Sequence, residues 1–136
     1  MSHYPTKTEI DGKEYYQIST ASNLYWFADK VNSISPSESS KINAVFTADI
    51  VLNKGEINQN TTEAVFWNQI GNFRGEDEPK EEEEKPKGYN GIFDGKNHKI
   101  SGLYFNDNEK DEVGLFSTLG DGKTIIITIL NEFYKK

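Results

Sequence analysis

Phe93-Asp94-Gly95-Lys96-Asn97-His98-Lys99-Ile100-Ser101-Gly102-Leu103 sets glycine and asparagine turn positions beside apolar residues that point inward. A tight corner that opens at once into a buried strand is how a coiled solenoid is built, because Gly and Asn tolerate the backbone angles that corners require. Val113-Gly114-Leu115-Phe116 follows ten residues on, and after another turn comes the β-branched run Thr124-Ile125-Ile126-Ile127-Thr128-Ile129-Leu130. These segments are expected to form successive coils, a scaffold suited to binding rather than catalysis.

Upstream of this stretch the apolar pattern has a two-residue period. Ala44, Phe46, Ala48, Ile50 and Leu52 alternate with Val45, Thr47, Asp49 and Val51, which predicts a strand with one buried face. Trp67 and Ile70 are expected on the same core, followed by Ile100, Leu103 and Phe105 and then by Ile125, Ile127 and Ile129. The step from Ile100 to Ile125 lies within the usual repeat range of solenoids.

The N-terminal part reads differently. Ile10-Asp11-Gly12-Lys13 is a hairpin signal, with Tyr15 to Ile18 as the return strand. Thr20 is a candidate N-cap for a helix over Thr20 to Asn32, whose Leu24, Phe27, Ala28 and Val31 fall on one stripe. Such a helix is expected to cover the open end of the coils, since a bare end leaves strand edges free to pair. Ser33 to Ser40, with Ser35-Pro36-Ser37, is a polar stretch that stops the helix.

Phe93-Asp94-Gly95 through Gly102-Leu103, with Gly114-Leu115-Phe116, resembles the GLUG-motif repeats of large bacterial surface proteins, adhesins and the non-catalytic parts of some surface peptidases. Tyr16-Gln17-Ile18-Ser19-Thr20, Leu24-Tyr25-Trp26-Phe27-Ala28, Val31-Asn32, Asn43-Ala44-Val45-Phe46, Asp49-Ile50-Val51-Leu52-Asn53 and Trp67-Asn68-Gln69-Ile70-Gly71 are similar to the segment that commonly precedes such repeats. The likeness implies a mostly β fold, a short right-handed parallel β-helix with an N-terminal helical cap. It also implies an adhesive role at the cell surface. One domain is expected: a hairpin and helix over 1–42, then coils over 43–136 carrying an acidic insert at 75–88.

A chain of 136 residues fits a single domain with one core. Eight Phe, seven Tyr and two Trp let a few large side chains fill that core. The sequence has no Cys, which excludes disulfides, thiolate catalysis and zinc-thiolate sites. Met1 to Thr8 lacks the basic and apolar regions of a secretory signal, and the apolar stretch from Ile125 to Leu130 is too short to span a membrane. The sequence as it stands is thus expected to be soluble, without membrane insertion, and a cytoplasmic location stays open beside the surface one.

The formal charge of −7 is concentrated. Between Gly75 and Gly88, the acids Glu76, Asp77, Glu78, Glu81, Glu82, Glu83 and Glu84 stand against Lys80, Lys85 and Lys87, so seven acids and three bases leave −4 there and −3 elsewhere. Pro79 and Pro86 and the absence of an apolar face predict a solvated loop. It either solubilises the protein or docks onto a basic partner.

Candidate chemistry is sparse. Asp94 and His98 stand four apart around a turn, but an aspartate before glycine ordinarily bonds its own backbone. Asp107, Glu109 and Asp111 alternate as calcium ligands do, without the central glycine and terminal glutamate of an EF-hand loop. Asn60-Thr61-Thr62 matches a glycosylation acceptor. Tyr15, Tyr16, Tyr25 and Trp26 can supply an aromatic platform for sugar, although a helix and a strand must each turn some aromatics inward. A polysaccharide lyase or hydrolase needs paired carboxylates that no spacing here provides.

The expected function is therefore a non-enzymatic interaction module without cofactor or metal, binding a protein or surface glycan. The binding candidates are Glu76, Asp77, Glu78, Glu81, Glu82, Glu83, Glu84, Tyr25 and Trp26. The alternative is a small acidic cytosolic inhibitor, phage-encoded, that occupies the basic groove of a nucleic-acid-handling protein without touching nucleic acid itself.

Overall fold

The computed structural model describes residues 4–53, 67–76, 88–105, 115–116, 123–125, 128–130 and 134–135. β1 (Lys7–Ile10) and β2 (Lys13–Ile18) form an antiparallel hairpin around Asp11 and Gly12, whose φ angles are 51° and 81°. A two-residue turn between right-twisted strands requires this left-handed pair of angles, and Asp-Gly adopts it readily.

Thr20 caps α1 (Ala21–Asn32) by accepting the Asn23 N–H at 3.1 Å. Asn23 Oδ1 in turn accepts from the Ser19 N–H and hydroxyl, which ties the residue before the cap to the first turn of the helix. Leu24, Phe27, Ala28 and Val31 are all buried, as their spacing predicts. The helix stops at Ser33, whose hydroxyl donates to Lys30 O at 2.7 Å, and a short 3-10 turn follows at Glu38–Lys41.

The remaining strands are short: β3 (Ala44–Phe46), β4 (Ile50–Val51), β5 (Ile92–Asp94), β6 (Lys99–Ser101), β7 (Tyr104–Phe105), β8 (Lys123–Ile125), β9 (Thr128–Leu130) and β10 (Tyr134–Lys135). One sheet has the order β1-β2-β3-β5-β8, a second β4-β6-β9, and β10 pairs with β7. Among the described residues every pairing after the hairpin is parallel.

The right-handed parallel β-helix with a helical cap, expected from the sequence, is overturned. The described residues form one helix against a mixed sheet of few, short strands, without a regular solenoid. Two features carry the correction. The antiparallel β1–β2 hairpin is continuous with the parallel strands, which makes the main sheet mixed. The register also has no fixed repeat: Tyr16 lies opposite Ala44, Ala44 opposite Phe93, and Phe93 opposite Thr124, steps that differ almost twofold in length. Equivalent stacked repeats need equal steps. The step from Ile100 to Ile125 fails too, for Ile100 pairs with Ile129 and Ile125 with Asp94.

Nor does α1 close an end. It packs across the main sheet, where Phe27 lies 6.2 Å from the Tyr16 ring and 5.8 Å from Phe93. Those two residues flank Ala44 in one row of the sheet, and neighbouring strands stand about 4.8 Å apart. The small Ala44 side chain therefore leaves the gap that Phe27 fills. Phe46, Tyr89 and Phe116 extend this aromatic core around Phe93, at centroid distances of 5.2, 6.5 and 5.1 Å.

The single strand expected over Ala44 to Leu52 is broken. β3 lies between β2 and β5 and Ala44, Val45 and Phe46 are all buried, so both of its faces are covered, and the chain bends before Ile50 enters the second sheet. Ile100 and Leu103 are buried as expected. The side chains of Phe105, Ile125 and Ile129, and Ile127 altogether, lie outside the described residues.

Two glycine positions separate sequence expectation from structure. In the corner after β5 the left-handed residues are Lys96 (φ 49°) and Asn97 (φ 63°) rather than Gly95, and His98 N–H closes the turn on Gly95 O at 2.8 Å. Gly102 does hold a positive φ of 80°, and its α-carbon is pressed against the Asn53 backbone. Asn53 Nδ2 donates to Gly102 O at 2.7 Å, which locks the two segments together.

Candidate interaction surface

The polar groups that resemble a reactive set are engaged in holding the fold. Asp94 Oδ1 accepts the Lys96 N–H at 3.0 Å, the local backbone bond expected of an aspartate at a turn. His98 does not meet Asp94; its Nδ1 lies 3.0 Å from Asp49 Oδ1, which also accepts the Lys99 N–H. The Lys99 N–H, and secondarily His98, hold the Asp49 carboxyl below its ordinary pKa. This contact ties the bend before β4 to the start of β6.

Buried amides and hydroxyls act in the same way. Asn43 donates to Glu14 O at 3.0 Å and accepts the Ile92 N–H at 2.8 Å, bridging the strands on either side of β3. Asn32 donates to Gln69 O and accepts from the Gly71 N–H, and its carbonyl receives the Arg74 N–H. Ser39 accepts the Asn90 N–H at 2.9 Å while donating to Pro36 O. Tyr89, fully buried, directs its hydroxyl towards Ile42 O at 2.5 Å and Ile92 O at 3.1 Å, and burial pushes its pKa well up.

Aromatic side chains supply the open surface. Tyr4, 69 % exposed, lies 5.0 Å from the Trp26 ring, and Trp26 lies 5.0 Å from Tyr16. The Lys7 ammonium sits 5.2 Å over Tyr16, a cation–π contact at the margin of the cluster. The helix places Trp26 here because it is one position from the Phe27 stripe, half in and half out.

Tyr25 and Trp26 do not share this face. Consecutive helical residues point about 100° apart, and Tyr25 packs on Trp67 at 5.8 Å. Burial pushes the Tyr25 hydroxyl up to about 12, with a smaller opposing effect of the Asn53 side chain. Among the described residues Tyr25 Oη is buried without a hydrogen bond of good geometry. Trp67 is fixed from the other side, its Nε1 donating to Leu115 O at 2.9 Å.

Of the acidic candidates, Glu76 is exposed beside Gly75; Asp77, Glu78, Glu81, Glu82, Glu83 and Glu84 lie outside the described residues. The two flanks of the insert are anchored to one stretch of chain. Gly75 N–H donates to Ile34 O, whereas Tyr89 and Asn90 bond Ile42 and Ser39. Asp107, Glu109, Asp111 and Asn60-Thr61-Thr62 also lie outside the described residues. Among those described, no group of three His, Cys, Asp or Glu side chains is placed to hold a metal, and no helix is long and apolar enough to cross a membrane.

Tyr4 was not legible as a surface partner of Trp26. Its only sequence signal is its place ahead of a hairpin whose return strand carries Tyr16. No family model, curated protein or solved structure matches the chain.

Proposed function

We propose that the chain is a non-enzymatic interaction module that engages a protein partner through the Tyr4–Trp26–Tyr16 surface. The observation that carries this reading is the 69 % exposure of Tyr4 against a packed Trp26. Tyr and Trp offer large apolar area with few rotatable bonds and are enriched where binding energy concentrates. The tilts of 51° and 60° between the rings leave no flat two-ring platform, which favours a protein over a glycan. The adhesive setting follows from the likeness to GLUG-motif repeats.

Photo-crosslinking from an aromatic probe at position 4, alongside a glycan array, tests the proposal. A discrete protein adduct, with binding to the identified protein weakened roughly 30-fold by Tyr4→Ala, is expected for a residue worth about 2 kcal/mol. Glycan binding without a protein adduct, or protein binding indifferent to Tyr4→Ala and Trp26→Ala, overturns it.

The charge of the 75–88 insert favours a second reading, an inhibitor that presents acids to a basic groove. Because Gly75 and Asn90 are both held against the 34–42 stretch, shortening the insert is expected to leave the fold intact. Capture of a basic protein that weakens steeply with salt and disappears on shortening supports this reading; salt-insensitive capture by the shortened chain excludes it.

A further inference from the structure

We infer that β1 is the contact edge of a two-fold homodimer in which β1 pairs antiparallel with β1 of a second copy. β1 ends the main sheet, and among the described residues nothing pairs with its outer side. The direction of its backbone groups follows from the hairpin. A two-residue turn makes Ile10 and Lys13 a hydrogen-bonded pair, and alternation makes Thr8–Tyr15 and Thr6–Gln17 hydrogen-bonded as well. Gln17 N–H indeed donates to Thr6 O at 2.8 Å. Lys7 and Glu9 lie between these pairs, so their N–H and C=O groups point away from β2.

That outward edge is complementary to itself. An antiparallel pairing centred on Thr8 sets Lys7 opposite Glu9 of the second copy and Glu9 opposite its Lys7. Both are pairs in which outward N–H and C=O groups exchange hydrogen bonds, while the two Thr8 residues meet at the non-bonded position between them. Slipping one strand by a single residue brings inward-bonded groups opposite outward ones and loses the ladder, whereas centring on Glu9 keeps a ladder but sets Glu9 opposite Glu9 and Lys7 opposite Asp11, one repulsive contact that the Thr8 centre avoids.

Charge supports the same register. Glu9 lies directly opposite Glu14 within the hairpin, a like-charge pair at a close, non-bonded position. Lys7 lies 3.9 Å from Glu14 Oε2, which relieves Glu14 more than Glu9. In the dimer the Lys7 of the second copy lies beside Glu9 on its free side, so each repulsive pair gains a cation. Occupancy by a second copy therefore answers an imbalance that the isolated hairpin retains.

The inference does not depend on the function proposed above. Sedimentation velocity of the intact protein from about 1 μM to about 1 mM tests it, a range that spans weak and moderate association. Wild type is expected to pass from monomer to dimer. Glu9→Lys turns both intermolecular pairs repulsive yet removes the Glu9–Glu14 conflict, so the dimer weakens about tenfold or more while the melting temperature of the monomer holds or rises. Lys7→Glu also weakens the dimer, whereas the double swap Lys7→Glu/Glu9→Lys restores it. An equimolar mixture of the two single variants is expected to form a heterodimer. Wild type that stays monomeric throughout, with the edge left to a foreign strand, overturns the inference, and so does a dimer that Glu9→Lys leaves unchanged.

Discussion

Replacing Gly102 separates two physical demands made on one residue. Its φ of 80° lies where a side chain is strained, and holding a non-glycine residue there costs about 1–3 kcal/mol. A Cβ at this position would also stand 2.9 Å from Asn53 C and nearer still to Asn53 N and O. Those atoms are backbone, so relief requires the 52–53 segment to move, which adds an overpacking cost of about 1–3 kcal/mol. Such a shift threatens the bonds from Asn53 Nδ2 to Gly102 O and from Leu52 N–H to Ser101 O, each contributing about 1 kcal/mol. Gly102→Ala is therefore expected to lose about 3–5 kcal/mol, and Gly102→Val more, since a β-branched residue resists positive φ further.

Gly12 is the internal control. Its φ of 81° is the same, but a Cβ there meets nothing within 4 Å. Gly12→Ala should lose only the backbone strain, about 1–3 kcal/mol, without the overpacking cost. Urea melts of both alanine variants measure the difference directly, with an unchanged m-value required for the comparison. Equal losses at the two positions refute the claim that the Asn53 backbone is packed against Gly102. Substitutions in the Glu81 to Glu84 run are expected to stay within about 0.5 kcal/mol of wild type.

Asn43→Ala removes both bonds that bridge Glu14 O and the Ile92 N–H, and leaving these partners unsatisfied should destabilise by about 2–4 kcal/mol, read as a lower urea midpoint. Tyr25 ionises at about 12 in the folded chain against 10.0 ordinarily, so its contribution is complete below pH 10 and is lost as pH rises towards 12. Denaturant melts should accordingly show an alkaline decline that is shallower in Tyr25→Phe, and an identical decline counts against the burial of that hydroxyl. Asp49, with a folded pKa below 3.8, contributes stability above its ordinary pKa that is lost as pH falls through the folded value. The gap between wild type and Asp49→Asn should therefore be present at neutral pH and close in acid.

Local elements were determined by the sequence alone. The Asp11-Gly12 turn needs only two residues with left-handed angles, and α1 needs only a Thr20 cap and a stripe at helical spacing. Both are set by interactions between residues a few positions apart, which the chain carries wherever it folds. The same holds for the Asx contact of Asp94. Tyr25 and Trp26 were legible as aromatic candidates, but their division between two faces follows from where the helix docks.

Tertiary structure decided what depends on partners distant in the chain. The pairings of Ala44 with Phe93 and of Ile100 with Ile129 join residues whose local patterns specify a strand but not its neighbour. A regular coil was inferred from turns that recur, yet recurrence of turns does not fix the register, and unequal intervening lengths give a mixed sheet instead. His98 bonds Asp49 rather than Asp94 for the same reason: the turn directs the ring away from its sequence neighbour and onto a segment brought alongside by β4–β6 pairing. Tyr4 joins Trp26 only once the hairpin lies beside the helix. Short-range sterics are written into the order of residues, whereas which strand lies beside which is chosen by the packing of one shared core.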